Sequence, residues 1–397
     1  MATIATSTVR RQDWRTIVFR ILAGLFALFF LIVQLGLPAL VEPWMLIASD
    51  APGYTAAIHR MHEAHWATIM VFFYGACLLA LAWRPRAYPL LLQFIVVIQL
   101  IEAGGNLLIG QFDPVYETIL FLCLAILVVA YPAPRDLLRL APQGALSVPL
   151  FGLSLLTAAF LAPDIRQLLH LQFAGLGGEH ATQNHWMLTA ELEVMLVVGG
   201  LLAATKRPGW RILGLLVGLA LIYLGVASIS APHLDGSWGT LGGALATLGG
   251  WGFVGATFWE ARRTPPTVTQ HGWLPYALIA LAAGLSAALL LLPRPGTAAS
   301  EAAPVGTTVL AAREYQFDQI ELRVKAGAPV SLQLDNHDGS IHQFDLDEFN
   351  IHVPMPAGQR EVVQFTPTWP GTYTFYCALH VDQVTKQGMA GKLVVTP

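Results

Sequence analysis

Charge is scarce in this chain. Of its 397 residues only 22 are Lys or Arg and 25 are Asp or Glu, 12% of the whole, against the ~25% usual in soluble domains. So few charges cannot cover a soluble protein of this length. With 55% apolar residues and a mean hydropathy of +0.57, the sequence reads as an integral membrane protein, with the lipid bilayer as its first partner. A basic excess is lacking too. The formal net charge is −3, which excludes the strongly positive field of a nucleic-acid binder. Cysteine is almost absent: Cys77, Cys123 and Cys377 lie far apart and suggest no disulfide framework. The first two sit in apolar runs, where a thiol is a small hydrophobe.

What is present is unevenly distributed. Residues 21–292 form a succession of long apolar segments with short polar breaks, whereas residues 305–397 turn polar and alternating, as in Gly371-Thr-Tyr-Thr-Phe-Tyr376. Between them, residues 293–304 are rich in Pro, Ala, Gly and Ser and lack apolar periodicity, as a linker does. Apolar runs near 17–38, 65–83, 88–110, 115–132, 146–163, 185–205, 210–231, 239–259 and 273–292 approach or exceed the ~20 residues of a membrane-crossing helix. Arg10, Arg11 and Arg15 precede the first run as in a signal peptide, but Ile21 to Val41 is too long for one and has no small-residue cleavage pattern. The expected architecture is a multi-span α-helical membrane domain over 1–292, a linker over 293–304 and an all-β sandwich over 305–397.

Basic residues fall in alternate breaks. Arg84 and Arg86, Arg135 and Arg139, Lys206, Arg207 and Arg211, and Arg262 and Arg263 share this sign with the N-terminal Arg10, Arg11, Arg15 and Arg20. The intervening breaks carry acids and histidines, with Arg60 and Arg166 against the pattern. The positive-inside rule then makes the N-terminus cytoplasmic and the C-terminal domain extracytoplasmic in a multi-pass cell (inner) membrane protein. The helical region also looks duplicated. His65-Trp66 matches His185-Trp186 and Arg84-Pro85 matches Arg207-Pro208 at a near-constant offset, giving units of about 16–135 and 145–262 plus the ninth helix at 273–292. Four spans per unit makes this a parallel repeat, although any two apolar four-helix stretches share some likeness.

The tail reads as seven short strands: 309–317, 320–324, 330–335, 342–346, 361–365, 372–376 and 392–395. Such spacing suggests an antiparallel sandwich or Greek-key barrel. Its chemistry is concentrated. Cys377 ends a strand, His380 follows three positions later, Met389 precedes the last strand, and His342 opens an earlier one. One thiolate, two imidazoles and a thioether are the donor set of a mononuclear blue-copper site, because thiolate and imidazole together favour neither oxidation state outright.

At these residues the sequence resembles the cupredoxin family. The matching pieces are Glu314-Tyr-Gln-Phe317, Val324-Lys-Ala-Gly327, Asn336-x-Asp338 before His342-Gln-Phe344, Pro370-Gly-Thr-Tyr-Thr-Phe-Tyr-Cys377 and Met389-Ala-Gly-Lys-Leu-Val-Val395. The resemblance covers about 305–397 and implies a plastocyanin-like domain with one type 1 copper held by His342, Cys377, His380 and Met389. The binuclear version needs two cysteines in the loop, and there is one. The span between His380 and Met389 is longer than in plastocyanin-like loops, which leaves Gln383 or Gln387 as alternative axial donors. His337 and His352 read as solvated loop side chains, with a weak second copper site at His352 and Met355 as the alternative.

Most remaining histidines fall on the expected outer side. His59, His62 and His65, followed later by His180 and His185, form a candidate second site for zinc, copper or haem; the plain alternative is wet interfacial side chains. No histidine falls near the bilayer midplane, so a deep haem has no visible ligand pair, whereas an outer-face haem on His65 and His185 stays open. Glu102 and Glu191 fall at similar depths within their spans and suggest a buried polar layer, serving a quinol, a metal or only helix–helix contact.

Together these features point to a membrane-anchored carrier that exchanges single electrons with a membrane redox complex or a soluble electron carrier. The alternatives are copper binding and delivery, or a quinol or small-substrate oxidoreductase with an active helical domain. The linker, of r.m.s. reach about 20 Å, is expected to keep copper near the outer loops without fixing it against them.

Overall fold

The computed structural model describes residues 14–41, 56–175, 179–232, 234–263, 308–338, 340–356, 358–381 and 386–397. Helices α1 (Trp14–Leu28), α2 (Gly36–Ala39), α3 (Ala56–Ala67), α4 (Ala76–Trp83), α5 (Pro89–Leu108), α6 (Pro114–Ala130), α7 (Pro134–Leu137), α8 (Val148–Ala174), α9 (Glu179–Thr182), α10 (His185–Ala204), α11 (Trp210–Ser230) and α12 (Gly239–Arg263) build the N-terminal region. π-helical turns at Phe29–Val33 and Thr68–Gly75 extend α1 and join α3 to α4. Among the described residues, seven helical stretches are long and apolar enough to cross a membrane, and α6 is a shorter apolar helix of 17 residues. The expected ninth span (273–292) and the linker (293–304) lie outside the described residues.

Local signals set several helix ends. Pro114 opens α6 without sacrificing a needed N–H, and the Asp113 carboxylate caps it by accepting from the Val115 and Tyr116 amides at 2.8 and 3.2 Å. Packing depends on small residues. α11 is buried along almost its whole length, with α12 as its most extensive neighbour and α10 next. A Cβ on Gly218 or Gly225 would come within 2.8 and 2.5 Å of the Gly250 and Gly243 carbonyls, so glycine permits this close approach of backbones.

One helix departs from the expectation. The run 146–163 was expected to end at Pro163, yet α8 continues through that proline to Ala174. Tertiary contacts outweigh the ~3 kcal/mol cost of an interior proline. Leu168 and Leu171 pack with Ala181, Trp186, Ala190 and Tyr315, and Gln172 Nε2 donates to the Ala181 carbonyl at 2.9 Å.

The C-terminal region is a β-sandwich of β1 (Thr308–Arg313), β2 (Gln316–Phe317), β3 (Glu321–Lys325), β4 (Val330–Asn336), β5 (His342–Leu346), β6 (Ile351–Met355), β7 (Arg360–Phe365), β8 (Gly371–Val381) and β9 (Gly388–Thr396). One sheet has the order β2-β1-β4-β7 and the other β3-β9-β8-β5-β6. The sandwich is mixed rather than purely antiparallel, since β1 runs parallel to β4 and β3 to β9: β1 and β3 reach their partners by crossovers, not hairpins. β6, which contains Pro354, is not among the seven strands expected from the sequence. It lies at a sheet edge, where proline's missing N–H costs no ladder bond. The core joins Leu310, Leu332, Phe344, Phe375, Cys377, Met389 and Leu393.

The two regions are packed together, not loosely tethered. Tyr315, 6% exposed, inserts its ring against Trp186 at 5.3 Å between centroids, within the junction formed by α8, α9 and α10. Burying an aromatic ring of this size stabilises the junction by roughly 2–3 kcal/mol.

Candidate metal centre

The ligand segment is built into the sheet. β8 was expected to stop at Tyr376, but it runs on to Val381, with a register shift against β9 between Tyr376 and Val381. Cys377 and His380 therefore sit on a bulged strand, and bulges re-aim side chains. His342 opens the adjacent β5. His342 Nδ1 and His380 Nδ1 are 2.9 Å apart, and Cys377 Sγ is 3.2 Å from His380 Nδ1. The three residues form a group able to hold a metal ion, and all are buried, at 0, 0 and 1% exposure for His342, Cys377 and His380.

Each donor is held from behind. Asp338 Oδ2 lies 2.8 Å from His342 Nε2, and the same carboxylate accepts the Glu314 and Tyr315 amides at 2.7 and 3.0 Å. Those two residues have φ of 50° and 59°, a left-handed turn costing non-glycine residues about 1 kcal/mol or more apiece, which Asp338 offsets. The Gln343 amide points at Cys377 Sγ at 3.3 Å, and Asp345 Oδ2 accepts from the Ala378 amide at 3.0 Å.

The partner of His380 comes from the other region. Asp235, in the loop between α11 and α12, lies with Oδ2 2.8 Å from His380 Nε2 and 3.3 Å from His180 Nε2. Its Oδ1 accepts from the Tyr315 hydroxyl at 2.6 Å, and Tyr315 meets Ser340 Oγ at 2.9 Å. Electrostatics follow this geometry. Burial alone would raise the Cys377 thiol, but His380 and then His342 pull it down to about 6. Burial opposes charge on His380 too, yet Cys377 and Asp235 push it up to about 10. Burial would raise Asp235, and the His380 and His180 imidazoles hold it well below the usual carboxylate range. The cluster thus favours a thiolate beside a shared proton, the charge that a bound cation replaces.

The remaining candidates are distributed as follows. Met389 is buried in the same core as Cys377, on β9 beside Ala390, which pairs with Tyr376. Gln383 lies outside the described residues. His352 lies on the edge strand β6 opposite Asp345, not in a loop as expected, and is half exposed with its Nδ1 2.8 Å from Asp345 Oδ1. His62, His180 and His185 come together. His65 lies beside them with Nδ1 2.9 Å from Thr189 Oγ1, and the side chain of His59 lies outside the described ones. Tyr74 donates to Gln99 at 3.0 Å and Glu102 at 3.3 Å, while Glu191 packs against Gly105 one turn along from Glu102. Asp235, Asp338 and Tyr315 had no role from the sequence alone. The available signal for Asp235 was that no other acid occurs between Glu193 and Glu260.

A sandwich with nine strands among the described residues, and with a buried cysteine sulfur beside two imidazoles, defines a class of small metal-binding β domains. The comparisons make this specific. Residues 278–395 match the family model for the cupredoxin-like domain, so the C-terminal part of the chain is a cupredoxin-like domain. The match starts within the expected ninth span, ahead of residue 305. No curated protein matches the chain. Similar solved structures include the metal-binding domain of the Cu(I)-exporting P-type ATPase CopA of Streptococcus pneumoniae, 18% identical with a TM-score of 0.21, covering 24% of this chain and 92% of that one. Auracyanin A of Chloroflexus aurantiacus, a blue copper protein, is 24% identical with a TM-score of 0.19 over 23% of this chain and 98% of that one. Amicyanin of Paracoccus versutus is 20% identical with a TM-score of 0.19 over 24% and 85%.

Proposed function

We propose that the protein is a membrane-anchored blue-copper electron-transfer protein in which His342, Cys377 and His380, with Met389 as the fourth donor, would hold one type 1 copper. The observation that carries this reading is the convergence of two imidazole Nδ1 atoms and one thiol sulfur in a fully buried pocket. Copper in such a donor set supplies one-electron chemistry with little rearrangement. The protein's own residues do the rest. Asp338 and Asp235 take the Nε2 protons, which fixes the tautomer and leaves Nδ1 to ligate. The Gln343 amide and the Asp345–Ala378 bond hold the sulfur in place.

His380 is turned toward Asp235 and Tyr315 instead of water. That favours electron exchange through the helical region, from a membrane redox complex or from that region itself, over a soluble carrier at this edge. The alternating basic breaks support a cytoplasmic N-terminus and an outer (periplasmic) copper domain. Copper delivery is the rival reading; donors with almost no exposure favour retention over exchange. A further reading makes a membrane quinol the reductant. An apolar cleft of about 320 Å³ beside Phe26, Phe30 and Ile95 has Tyr74 and Gln99 in its wall, next to Glu102. In that case Glu102→Gln slows bleaching of the copper band by quinol, and an unchanged rate removes the quinol.

The test of the main reading is optical. Oxidised copper-loaded protein has an intense visible band that Cys377→Ser abolishes; a colourless copper-loaded wild type overturns it. A reporter fused after Pro397 reads as extracytoplasmic and one near Arg135 as cytoplasmic.

A further inference from the structure

Three imidazoles of the helical region meet where no local sequence pattern brings them together. His62 comes from α3, His180 from α9 and His185 from the start of α10. The His62 ring lies 4.7 Å from His180 and 4.4 Å from His185 between centroids, and His180 lies 5.5 Å from His185. One nitrogen from each falls within 4.8 Å of the others. His62 and His180 are 3% and 0% exposed. The surroundings are shaped to this cluster. Thr189 bonds the neighbouring His65 at 2.9 Å, tying α3 to α10. Gly236, at φ 77°, lets the loop close over the rings, since a Cβ there would stand 2.8 Å from His65 Cε1 and 3.4 Å from His62 Cε1.

We propose that His62, His180 and His185 form a second metal site, for a late first-row cation ligated by imidazole, and that its metal is copper. Neutral imidazoles suit copper and zinc alike, and a site of given geometry holds copper more tightly. Asp235 supports the assignment. Its Oδ2 faces His180 Nε2 at 3.3 Å as well as His380 Nε2 at 2.8 Å. With Nε2 on the carboxylate, Nδ1 is the ligating atom of His180, the carboxylate–histidine–metal arrangement that orients a ligand ring. One carboxylate therefore backs a histidine of each cluster, and the His180 and His380 rings are 5.8 Å apart.

The experiment uses full-length protein in detergent, stripped with a chelator and reloaded with copper or with zinc, with bound metal counted per chain. The His62→Ala/His185→Ala double variant binds one copper equivalent fewer than wild type while keeping the visible band, which shows that the β domain is intact. The Cys377→Ser/His342→Ala/His380→Ala variant, which strips the β domain of its donors, loses the band yet keeps the cupric resonance of a nitrogen-ligated ion, and adding the His62→Ala and His185→Ala substitutions removes it. Equal copper in the double variant and wild type overturns the site. An extra equivalent taken from zinc but not copper overturns the choice of metal. Should the double variant not fold, the resonance of the Cys377→Ser/His342→Ala/His380→Ala protein decides alone, and absence of histidine-nitrogen coupling in it overturns the site. A colourless wild type that still shows the His62/His185-dependent copper equivalent upholds this site while the blue-copper reading fails.

Discussion

The two clusters that meet at Asp235 differ in how the chain assembles them. In the β domain, Cys377 and His380 share one strand and His342 opens its neighbour, so sheet pairing sets the spacing of the donors. In the helical region, His62, His180 and His185 come from three helices, and only the packing of α3, α9 and α10 sets their distances. The first offers a cysteine sulfur beside two imidazoles, the set on which the proposed one-electron exchange rests; the second offers imidazole alone. A strand pair fixes donors locally, whereas a helix bundle fixes them only once it has folded.

The largest expected effect separates the clusters by chemistry. Cys377→Ser removes the visible band entirely, because sulfur-to-copper charge transfer has no substitute among nitrogen donors, and absorption spectroscopy reads it directly. A retained band breaks the distinction. Next come the carboxylates. Asp338→Asn weakens metal binding at His342 and His380 by about 10–100-fold and leaves the imidazole cluster unaffected. Asp235→Asn weakens both, because it faces His380 and His180 together. Competition titration with a chelator measures each, and equal behaviour of the two variants erases the asymmetry.

Smaller effects sharpen the boundary. Tyr315→Phe removes the hydroxyl shared by Asp235 and Ser340 at a cost of about 1 kcal/mol. Faster hydrogen exchange at the α9 and Ser340 amides registers the loosened junction. His352→Ala changes the visible band not at all and stability by within about 0.5 kcal/mol, because this histidine is half exposed and Asp345 keeps its Ala378 and Gln343 donors. A spectral change there would move the His352–Met355 pair into the metal site.

Much of the β domain was legible because its information is local. The strand His342–Leu346 is found at its expected bounds, since alternation and flanking turn residues mark it within a few positions. The edge strand Ile351–Met355 was not legible, because Pro354 suits only an edge and edges are a property of the assembled sheet. The end of α8 was missed for the same reason. Pro163 is a stop signal on its own, and tertiary contacts carry the helix past it: Leu168 and Leu171 packing with Trp186 and Tyr315, and Gln172 bonding the Ala181 carbonyl.

By itself the sequence determined the class of each region. Low charge and long apolar runs made the first a bundle of membrane-length helices, and alternation broken by turn residues made the second a β-sandwich, whose cysteine, histidine and methionine motifs resemble the cupredoxin family. These are consequences of hydrophobic burial and backbone pairing acting over short stretches. Tertiary structure alone decided that the sandwich is docked, that Asp235 reaches a histidine 145 positions away, and which three of the five candidate histidines, His62, His180 and His185, share one pocket. No periodicity encodes such contacts, because they depend on how buried surfaces fit once every helix and strand has formed.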